Sequence, residues 1–450
     1  MQYGLIGNPL KHSFSKGIHE KLADYKYELC ELSDSSFDDF MKKKEFKAIN
    51  VTIPYKQKVI PYLDFIDENA KNINAVNTII NDNGKLKGYN TDILGVLDTF
   101  SYFGIDVKNK NVLILGTGAT SNTVYHAVSY ANKNISNPVE ASATSQHKIY
   151  KAYRENSKVK GDILYSDIPK LYNEINIIIN TTSNGMYPHE DDELLINLSK
   201  FKNLEAVMDV VYNPLRTRLL QEAEKINIKA VSGLYMLVSQ AYFASKLFVG
   251  SVINLNCKNK LFNQTNMTNL YEHNILTANH CEQAYKKCLI EKQNIVLTGM
   301  PTCGKTTIAK IISEKYGYEY IDTDDLIEEK INGKIFDFIK QNGEEKFRDI
   351  ESEVIKEIRT KNHAVIATGG GAILRNINIT NLKYNGKIFF INRSLENLNP
   401  ASDRPLTSDI GSLTKKYTER LPIYKSTCDI EIDGDIEITD RINHIINKLP

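Results

Sequence analysis

Residues Gly299-Met300-Pro301-Thr302-Cys303-Gly304-Lys305-Thr306 constrain this chain more than any other short stretch in it. They match the glycine-loop pattern that wraps phosphate oxygens. They also stand where such a loop must stand, after the apolar run 294–298 and before a segment with helical spacing. Glycine lets backbone N–H groups curl around an anion, Lys305 adds a point charge, and the Thr306 hydroxyl can ligate Mg²⁺. A glycine turn that matches by chance is the alternative reading, and the flanking strand and helix make it the poorer one. Further apolar runs at 364–368 and 387–392 continue a βα rhythm to the end of the chain.

A second strand–glycine–helix unit lies upstream. The run Val112-Leu113-Ile114-Leu115 reads as a buried strand, Gly116-Thr117-Gly118 follows, then a helix-compatible segment and a strand near Val139. Strands at 175–180 and 206–211 and a helix-like segment at 214–225 complete the pattern of a parallel, doubly wound sheet. Residues 1–95 alternate short apolar runs with polar segments of helical spacing, which predicts a separate α/β lobe.

With 450 residues the chain is too long for one core. The expected division is a lobe at 1–95 completed by about 231–255, a Rossmann-like domain at 96–230, a linker at 256–292, and a second α/β domain at 293–450. The linker rests on a stretch rich in Asn, Lys, Gln and Thr, with helical spacing returning only after Ile275.

Charge excludes some classes of partner. Against 56 basic residues stand 55 acidic ones, a net charge of +1 that gives no global field for nucleic acid or an anionic membrane. The six cysteines show no C-x-x-C spacing, no export signal opens the chain, and no long apolar run interrupts it. The expectation is a soluble protein of the reducing cytoplasm whose anionic ligands are held locally.

Beyond the glycine loop come Asp322-Thr323-Asp324, Gly343-Glu344-x-x-Phe347-Arg348-x-x-Glu351, Gly369-Gly370-Gly371, Arg404-Pro405-Leu406 and Arg420-x-Pro422-x-Tyr424. In that order they resemble shikimate kinase, a P-loop fold, over about 293–450. The resemblance implies ATP held by Gly299, Cys303, Gly304, Lys305, Thr306 and Thr307, with Mg²⁺ near Thr306 and Asp322. It further implies shikimate bound by Asp324, Arg348, Gly370, Gly371 and Arg420, with Asp324 as base and Arg404 on a lid that meets the transferring phosphoryl. Guanidinium forks match a carboxylate as lysine cannot, which gives Arg348 and Arg420 an independent rationale. Asn397 stands where similar kinases carry an adenine-packing arginine.

Before the first glycine loop lie Gly7-Asn8-Pro9-Leu10-x-His12-Ser13-x-Ser15, Asn50-Val51-Thr52-Ile53-Pro54-Tyr55-Lys56, Ala75-Val76-Asn77-Thr78 and Gly88-Tyr89-Asn90-Thr91-Asp92. After it come Asn180-Thr181-Thr182-Ser183-x-Gly185-Met186, Asp209-Val210-Val211-Tyr212-Asn213-Pro214 and Gly233-x-x-Met236-Leu237-Val238-x-Gln240-Ala241. Together they resemble shikimate dehydrogenase over about 1–255. The resemblance implies Lys56 and Asp92 as the catalytic pair, Ser13 and Ser15 on the substrate carboxylate, and Thr52, Asn77, Tyr212 and Gln240 on ring hydroxyls. It implies that Gly116, Gly118, Ala119, Thr120, Ser142 and Gly233 line the dinucleotide.

Ser142-Ala143-Thr144 stands where NADP-preferring relatives place an arginine, and no acidic residue for an NAD ribose clearly replaces it. NADP ranks above NAD. The implied activities are reduction of 3-dehydroshikimate to shikimate and ATP-dependent phosphorylation of shikimate, two consecutive steps. An NAD-preferring quinate/shikimate dehydrogenase, or an inactive scaffold for the kinase, are the rivals for the first half.

Overall fold

The computed structural model describes residues 1–10, 13–133, 147–250, 276–398 and 410–450. The positions Val139, Ser142 and Arg404 lie outside the described residues. Two compact units emerge: unit 1 comprises Met1–Asn184, Asp191–Tyr212 and Glu222–Lys286, and unit 2 comprises Gly185–Glu190, Asn213–Gln221 and Lys287–Pro450.

Unit 1 begins with β1 (Tyr3–Gly7), α1 (Ser15–Leu22), β2 (Tyr27–Glu31), α2 (Asp34–Lys43), β3 (Ala48–Val51), β4 (Phe65–Ile66), α3 (Glu68–Ile73), β5 (Thr78–Asp82), β6 (Lys85–Tyr89) and α4 (Asp92–Phe103). Its strands form one sheet in the order β2-β1-β3-β5-β6-β4, with β5 and β6 as an antiparallel hairpin. Ile6, Ile49, Val51, Ile79 and Leu86 bury its core face.

A second sheet follows through β7 (Val112–Leu115), α5 (Ala119–Lys133), β8 (Ile149–Tyr153), β9 (Ile163–Leu164), β10 (Ile177–Asn180), β11 (Ala206–Asp209), α6 (Arg218–Lys225), β12 (Lys229–Ser232) and α7 (Leu234–Phe248). The order β12-β11-β10-β7-β8-β9 is parallel throughout. β7, β10 and β11 are buried at every position and apolar except at the terminal Asn180 and Asp209, as a sheet covered on both faces requires. The strand paired beside β7 is β8, not one near Val139. Parallel neighbours ordinarily need a helical crossover, yet the connection 154–162 between β8 and β9 contains no helix. The second strand stands further down the chain than the usual βαβ spacing suggests because the connection before it, residues 116–148, is the long one.

The segment expected as a linker, 256–292, divides. Residues 256–275 lie outside the described residues, but Ala278–Lys292 is a helix, α8. Apolar positions three and four apart fall on one face of it: Cys281, Ala284 and Cys288 are buried, and the Tyr285 ring meets Tyr235 at 5.1 Å. Only Gln293 separates α8 from the next strand.

Unit 2 contains β13 (Asn294–Thr298), α9 (Lys305–Tyr316), β14 (Glu319–Asp322), α10 (Thr323–Ile331), α11 (Ile335–Asn342), α12 (Glu344–Ile358), β15 (Ala364–Ala367), α13 (Asn376–Lys383), β16 (Gly386–Asn392), α14 (Ile410–Thr427), β17 (Ile430–Asp433) and α15 (Ile438–Asn447). All five strands are parallel, in the order β14-β15-β13-β16-β17. The P-loop therefore leaves the central strand of a doubly wound sheet, where loops at the carboxyl ends of neighbouring strands can face a common ligand. Among the described residues, no helix is long and apolar enough to cross a membrane.

Candidate active sites

In unit 1 the end of β3 and the start of α4 set the geometry. Beyond Val51 the chain turns, with Tyr55 N–H donating to the Thr52 carbonyl and Val76 N–H to the Lys56 carbonyl, both at 2.9 Å. This fixes Lys56 opposite the first turn of α4, where its Nζ lies 2.7 Å from Asp92 Oδ2. Asn90 positions that carboxylate: its Oδ1 accepts from Asp92 N–H at 3.1 Å while its Nδ2 donates to the Ala75 carbonyl. Asn77 is tied to the same turn, accepting from Thr91 N–H at 2.8 Å and donating to Thr91 Oγ1 at 3.0 Å.

Around this pair the other expected residues fall into two groups. Gln240 arrives from α7 at a close helix crossing, where a Cβ on Gly95 would sit 3.0 Å from the Gln240 Cβ, one turn beyond Asp92. Ser13 and Ser15 flank Phe14, whose ring meets the Tyr212 ring edge-on at 5.5 Å, and Ser15 N–H donates to Ser13 Oγ at 3.3 Å. Burial raises the Tyr212 hydroxyl above its ordinary pKa, which keeps it a neutral hydrogen-bonding group. Thr52 packs against Gly7 at the end of β1.

The first glycine loop leaves β7 at Gly116, whose φ of 106° suits glycine alone, and feeds directly into α5. Ser121 Oγ closes the turn on the Gly116 carbonyl at 2.7 Å, and a Cβ on Gly118 would meet nothing within 4 Å. Ala119 and Thr120 occupy the first turn of α5, the end of a helix that attracts an anion. Gly233 is explained by packing instead: any side chain there would collide with the Val210 carbonyl.

Unit 2 places the P-loop lysine and hydroxyl in distinct settings. Lys305, at the start of α9, is buried and donates to the Gly299 and Met300 carbonyls, both at 2.9 Å, with Cys303 Sγ at 3.8 Å. Gly304 precedes it with a φ of 99°. Thr306 Oγ1 donates to Asp322 Oδ2 at 2.9 Å, while Asp322 Oδ1 caps α10 through Asp324 N–H at 3.0 Å. Thr307 follows on the exposed face of α9. The Thr306 hydroxyl and Asp322 carboxylate are hard oxygen donors that suit Mg²⁺. No group of three potential His, Cys, Asp or Glu ligands occurs among the described residues.

Arg348, Arg420 and Asp324 converge on Gly369–Gly371. Asp324 Oδ1 lies 2.6 Å from where a Gly369 Cβ would be, and a Gly371 side chain would collide with the Arg348 guanidinium. Arg420 donates to the Gly370 carbonyl at 3.0 Å, and Tyr424 donates to the same oxygen at 2.5 Å. Gly370 in turn faces Pro301 of the P-loop.

Arg348 is 6 % exposed and reaches Glu351 Oε2 and Glu344 Oε1, both at 2.8 Å. Burial pushes the Glu351 carboxyl above the usual range, with Arg348 pulling it back. Glu351 was visible in the sequence without a role. In the structure it is the fully buried counter-ion of the expected carboxylate clamp.

Residues 5–79 match the family model described as "Shikimate dehydrogenase substrate binding domain". A "Shikimate dehydrogenase (NADP(+))" of Caldanaerobacter subterraneus subsp. tengcongensis is 38% identical over 258 residues, 55% of this chain and 91% of that protein. The chain belongs to the shikimate dehydrogenase family. Residues 301–450 match the model described as "Shikimate kinase", so a shikimate kinase domain follows the shikimate dehydrogenase on the same polypeptide.

A second "Shikimate dehydrogenase (NADP(+))", from Methanosphaera stadtmanae, is 35% identical over 260 residues, 55% of this chain and 90% of that one. Among solved structures, a chorismate mutase/shikimate 5-dehydrogenase fusion protein from Clostridium acetobutylicum aligns with a TM-score of 0.52 and 28% identity, over 64% of this chain and 96% of that chain.

One candidate for the dinucleotide site escaped the sequence reading. In a dinucleotide fold, the residue that meets the adenosine ribose, or an arginine that meets its 2′-phosphate, follows the second strand. That strand is β8, and the residue after it is Arg154, which is exposed. The connection carrying it bends back to the glycine loop: Thr117 Oγ1 donates to the Val159 carbonyl at 3.0 Å. The run Ile149–Tyr153 followed by a basic residue was the available signal, masked by the expectation of an earlier strand.

Proposed function

We propose that the chain catalyses two consecutive steps of the shikimate pathway, NADPH-dependent reduction of 3-dehydroshikimate to shikimate and ATP-dependent phosphorylation of shikimate to shikimate 3-phosphate. The observation that supports the first step best is the 2.7 Å contact of Lys56 with Asp92 beside Asn77 and Gln240. An ammonium so placed can give a proton to the substrate carbonyl oxygen as hydride reaches the carbonyl carbon, and Asp92 orients it. Ser13 and Ser15 would hold the substrate carboxylate, with Thr52, Asn77, Tyr212 and Gln240 meeting the ring hydroxyls. Bound NADPH supplies the hydride. Arg154 fits its 2′-phosphate and supports NADP over NAD, while Gly116, Gly118, Ala119 and Thr120 suit its pyrophosphate.

In unit 2 the reading rests on two guanidiniums and a carboxylate gathered over Gly369–Gly371, beside Pro301 of the P-loop. Arg348 and Arg420 would grip the substrate carboxylate, and Asp324 would accept the proton of the 3-hydroxyl as it attacks the γ-phosphorus of ATP. Lys305 would exchange its loop carbonyls for phosphate oxygens. Thr306 and Asp322 would hold Mg²⁺, which neutralises charge on the phosphates. Arg404, outside the described residues, would meet the transferring phosphoryl.

A catalytically inactive scaffold would have no use for Lys56 and Asp92 in hydrogen-bond contact. Five described cysteines are free thiols, which suits a reducing compartment, and we place the enzyme in the cytoplasm. The test is a coupled assay on the full chain with 3-dehydroshikimate, omitting NADPH, NADH and ATP in turn. Shikimate 3-phosphate should form only when NADPH and ATP are both present, and its formation without a reduced nicotinamide would defeat the two-step reading.

A further inference from the structure

We propose that residues of the shikimate kinase sequence position two segments of the dehydrogenase sequence, Asp429 holding Arg216 and Arg359 holding Glu190, and that the dehydrogenase's grip on its substrate depends on them. The inference rests on the dehydrogenase reading and gives it positioning residues that its motifs do not contain. Segment 213–221 begins directly after Tyr212, which is expected to meet a ring hydroxyl, and segment 185–190 begins inside the motif that opens at Asn180. Both segments belong to unit 2, although the residues on either side of each belong to unit 1.

The two segments are first tied to each other. Tyr187 N–H donates to the Asn213 carbonyl at 3.1 Å, and a Cβ on Gly185 would lie 3.3 Å from the Cβ of the buried Thr217. Residues 287–450 then hold the braced pair. Leu215 N–H donates to Asn385 Oδ1 at 3.0 Å and Arg216 N–H to the Tyr384 carbonyl at 2.9 Å. The Arg216 guanidinium takes Asp429 at both oxygens, Nη1 on Oδ2 at 2.9 Å and Nη2 on Oδ1 at 3.0 Å. On the other segment, Arg359 Nη2 donates to Glu190 Oε1 and Tyr384 Oη to the Glu190 carbonyl, both at 2.8 Å. The Glu190 and Arg359 side chains keep only 4% and 10% of their exposure, so this second ion pair is nearly dry.

Such contacts fix direction as well as distance. A guanidinium that meets a carboxylate through two parallel hydrogen bonds has one favourable orientation, and a buried pair is costly to break. The chain leaving Tyr212 is therefore pinned within four residues, and a misplacement of about 1 Å at a substrate contact can cost about a hundredfold in rate. The anchors also stand apart from phosphoryl transfer. Arg359 precedes β15, Tyr384 and Asn385 precede β16, and Asp429 precedes β17, all at the amino ends of parallel strands. The P-loop and Gly369–Gly371 leave the carboxyl ends of β13 and β15 in the same sheet. A change at Asp429 should reach the dehydrogenase and spare the kinase reaction.

The test compares the full chain with Asp429→Ala, Arg216→Ala and the double variant. Each single change should raise KM for 3-dehydroshikimate about tenfold, with KM for NADPH and the kinase's KM for shikimate within about twofold. The double variant should be no worse than Arg216→Ala, because both changes remove one contact. Arg216→Lys, which keeps the charge and loses the fork, should recover part of the loss. Hydrogen exchange across 213–221 should quicken in the alanine variants. Should Asp429→Ala not accumulate, Tyr384→Phe deletes a single hydroxyl and should raise the same KM about threefold. An unchanged KM for 3-dehydroshikimate, single effects that multiply in the double variant, or equal rises in every KM would overturn the assignment. A wild-type chain that reduces no 3-dehydroshikimate would sink the dehydrogenase reading instead, and hydrogen exchange would still decide whether Asp429 holds the segment.

Discussion

The dehydrogenase and kinase sites handle the same small acid with opposite electrostatic strategies. In unit 1 the charged groups are a single ion pair, Lys56 and Asp92, whose side chains keep 24% and 15% of their exposure, set among amides and hydroxyls. In unit 2 the Arg348 side chain keeps 7% and its partner Glu351 none. The chemistry accounts for the contrast. Carbonyl reduction must return a proton from water to its acid at each turnover, so the pair stays near the surface. Phosphoryl transfer must keep water away from the phosphorus, so the clamp is built into the interior. A partly exposed ion pair contributes little to stability, whereas a buried charge left without its partner costs about 3–5 kcal/mol. Activity and stability should therefore come apart in one unit and move together in the other.

The largest effect belongs to Lys56→Ala. It should lower dehydrogenase kcat by about 10² to 10⁴ while changing stability by less than about 1 kcal/mol and leaving shikimate phosphorylation intact. Steady-state rates of both reactions, with urea unfolding followed by circular dichroism, check this. A parallel fall in kinase rate would remove the distinction between the sites.

Arg348→Ala should abolish the clamp and destabilise unit 2 by about 3–5 kcal/mol, because Glu351 stays buried without its counter-ion. Adding Glu351→Gln should restore much of the stability and none of the activity. If the double variant is as unstable as the single one, the cost is lost packing and not the orphaned charge.

Arg154→Ala should raise KM for NADPH about ten- to hundredfold, the range expected for a lost charge-assisted hydrogen bond, with KM for NADH nearly unchanged. Equal effects on both cofactors would place Arg154 away from the 2′-phosphate.

The smallest effect is a pH dependence confined to unit 1. His19 is fully buried, stacked on Tyr27 at 4.1 Å, and its Nδ1 lies 2.7 Å from Tyr25 Oη and 3.1 Å from Ser245 Oγ. Burial lowers its pKa from 6.5 to about 3. The unfolded chain therefore binds a proton that the folded chain refuses between those values. The associated stability is fully present above pH 6.5 and declines by about 1.4 kcal/mol for each unit of pH below it. Urea midpoints read through dehydrogenase activity at pH 7 and pH 5 should separate for the wild type and draw together for His19→Gln.

Much of this architecture could be read from residue order. β7 and the middle of β13, Ile295 to Leu297, are apolar runs because strands covered on both faces leave little room for polar side chains, and each announces the glycine loop after it. Motif order alone also brought together Lys56 with Asp92, and Arg348 with Arg420. What stayed hidden depended on tertiary neighbours. The second strand of the nucleotide sheet was sought near Val139 because a helical crossover sets the usual spacing. The connection between β7 and β8, residues 116–148, runs longer than that, and Arg154 was missed for that reason. Helix α8 passed for part of a linker because its apolar face is made of Cys281, Ala284, Tyr285 and Cys288 in place of leucines. Glu351 has meaning only through the Arg348 beside it, which spacing along the chain does not encode.

Gly371 carries a consequence for how such a site can change over generations. Every other amino acid adds atoms at this position, and even the smallest addition would strike the Arg348 guanidinium. That arginine cannot retreat without stranding a carboxylate in the interior. Variation at this corner of the molecule is thus closed to single steps, and any lineage that altered its acid preference would have to begin from another residue.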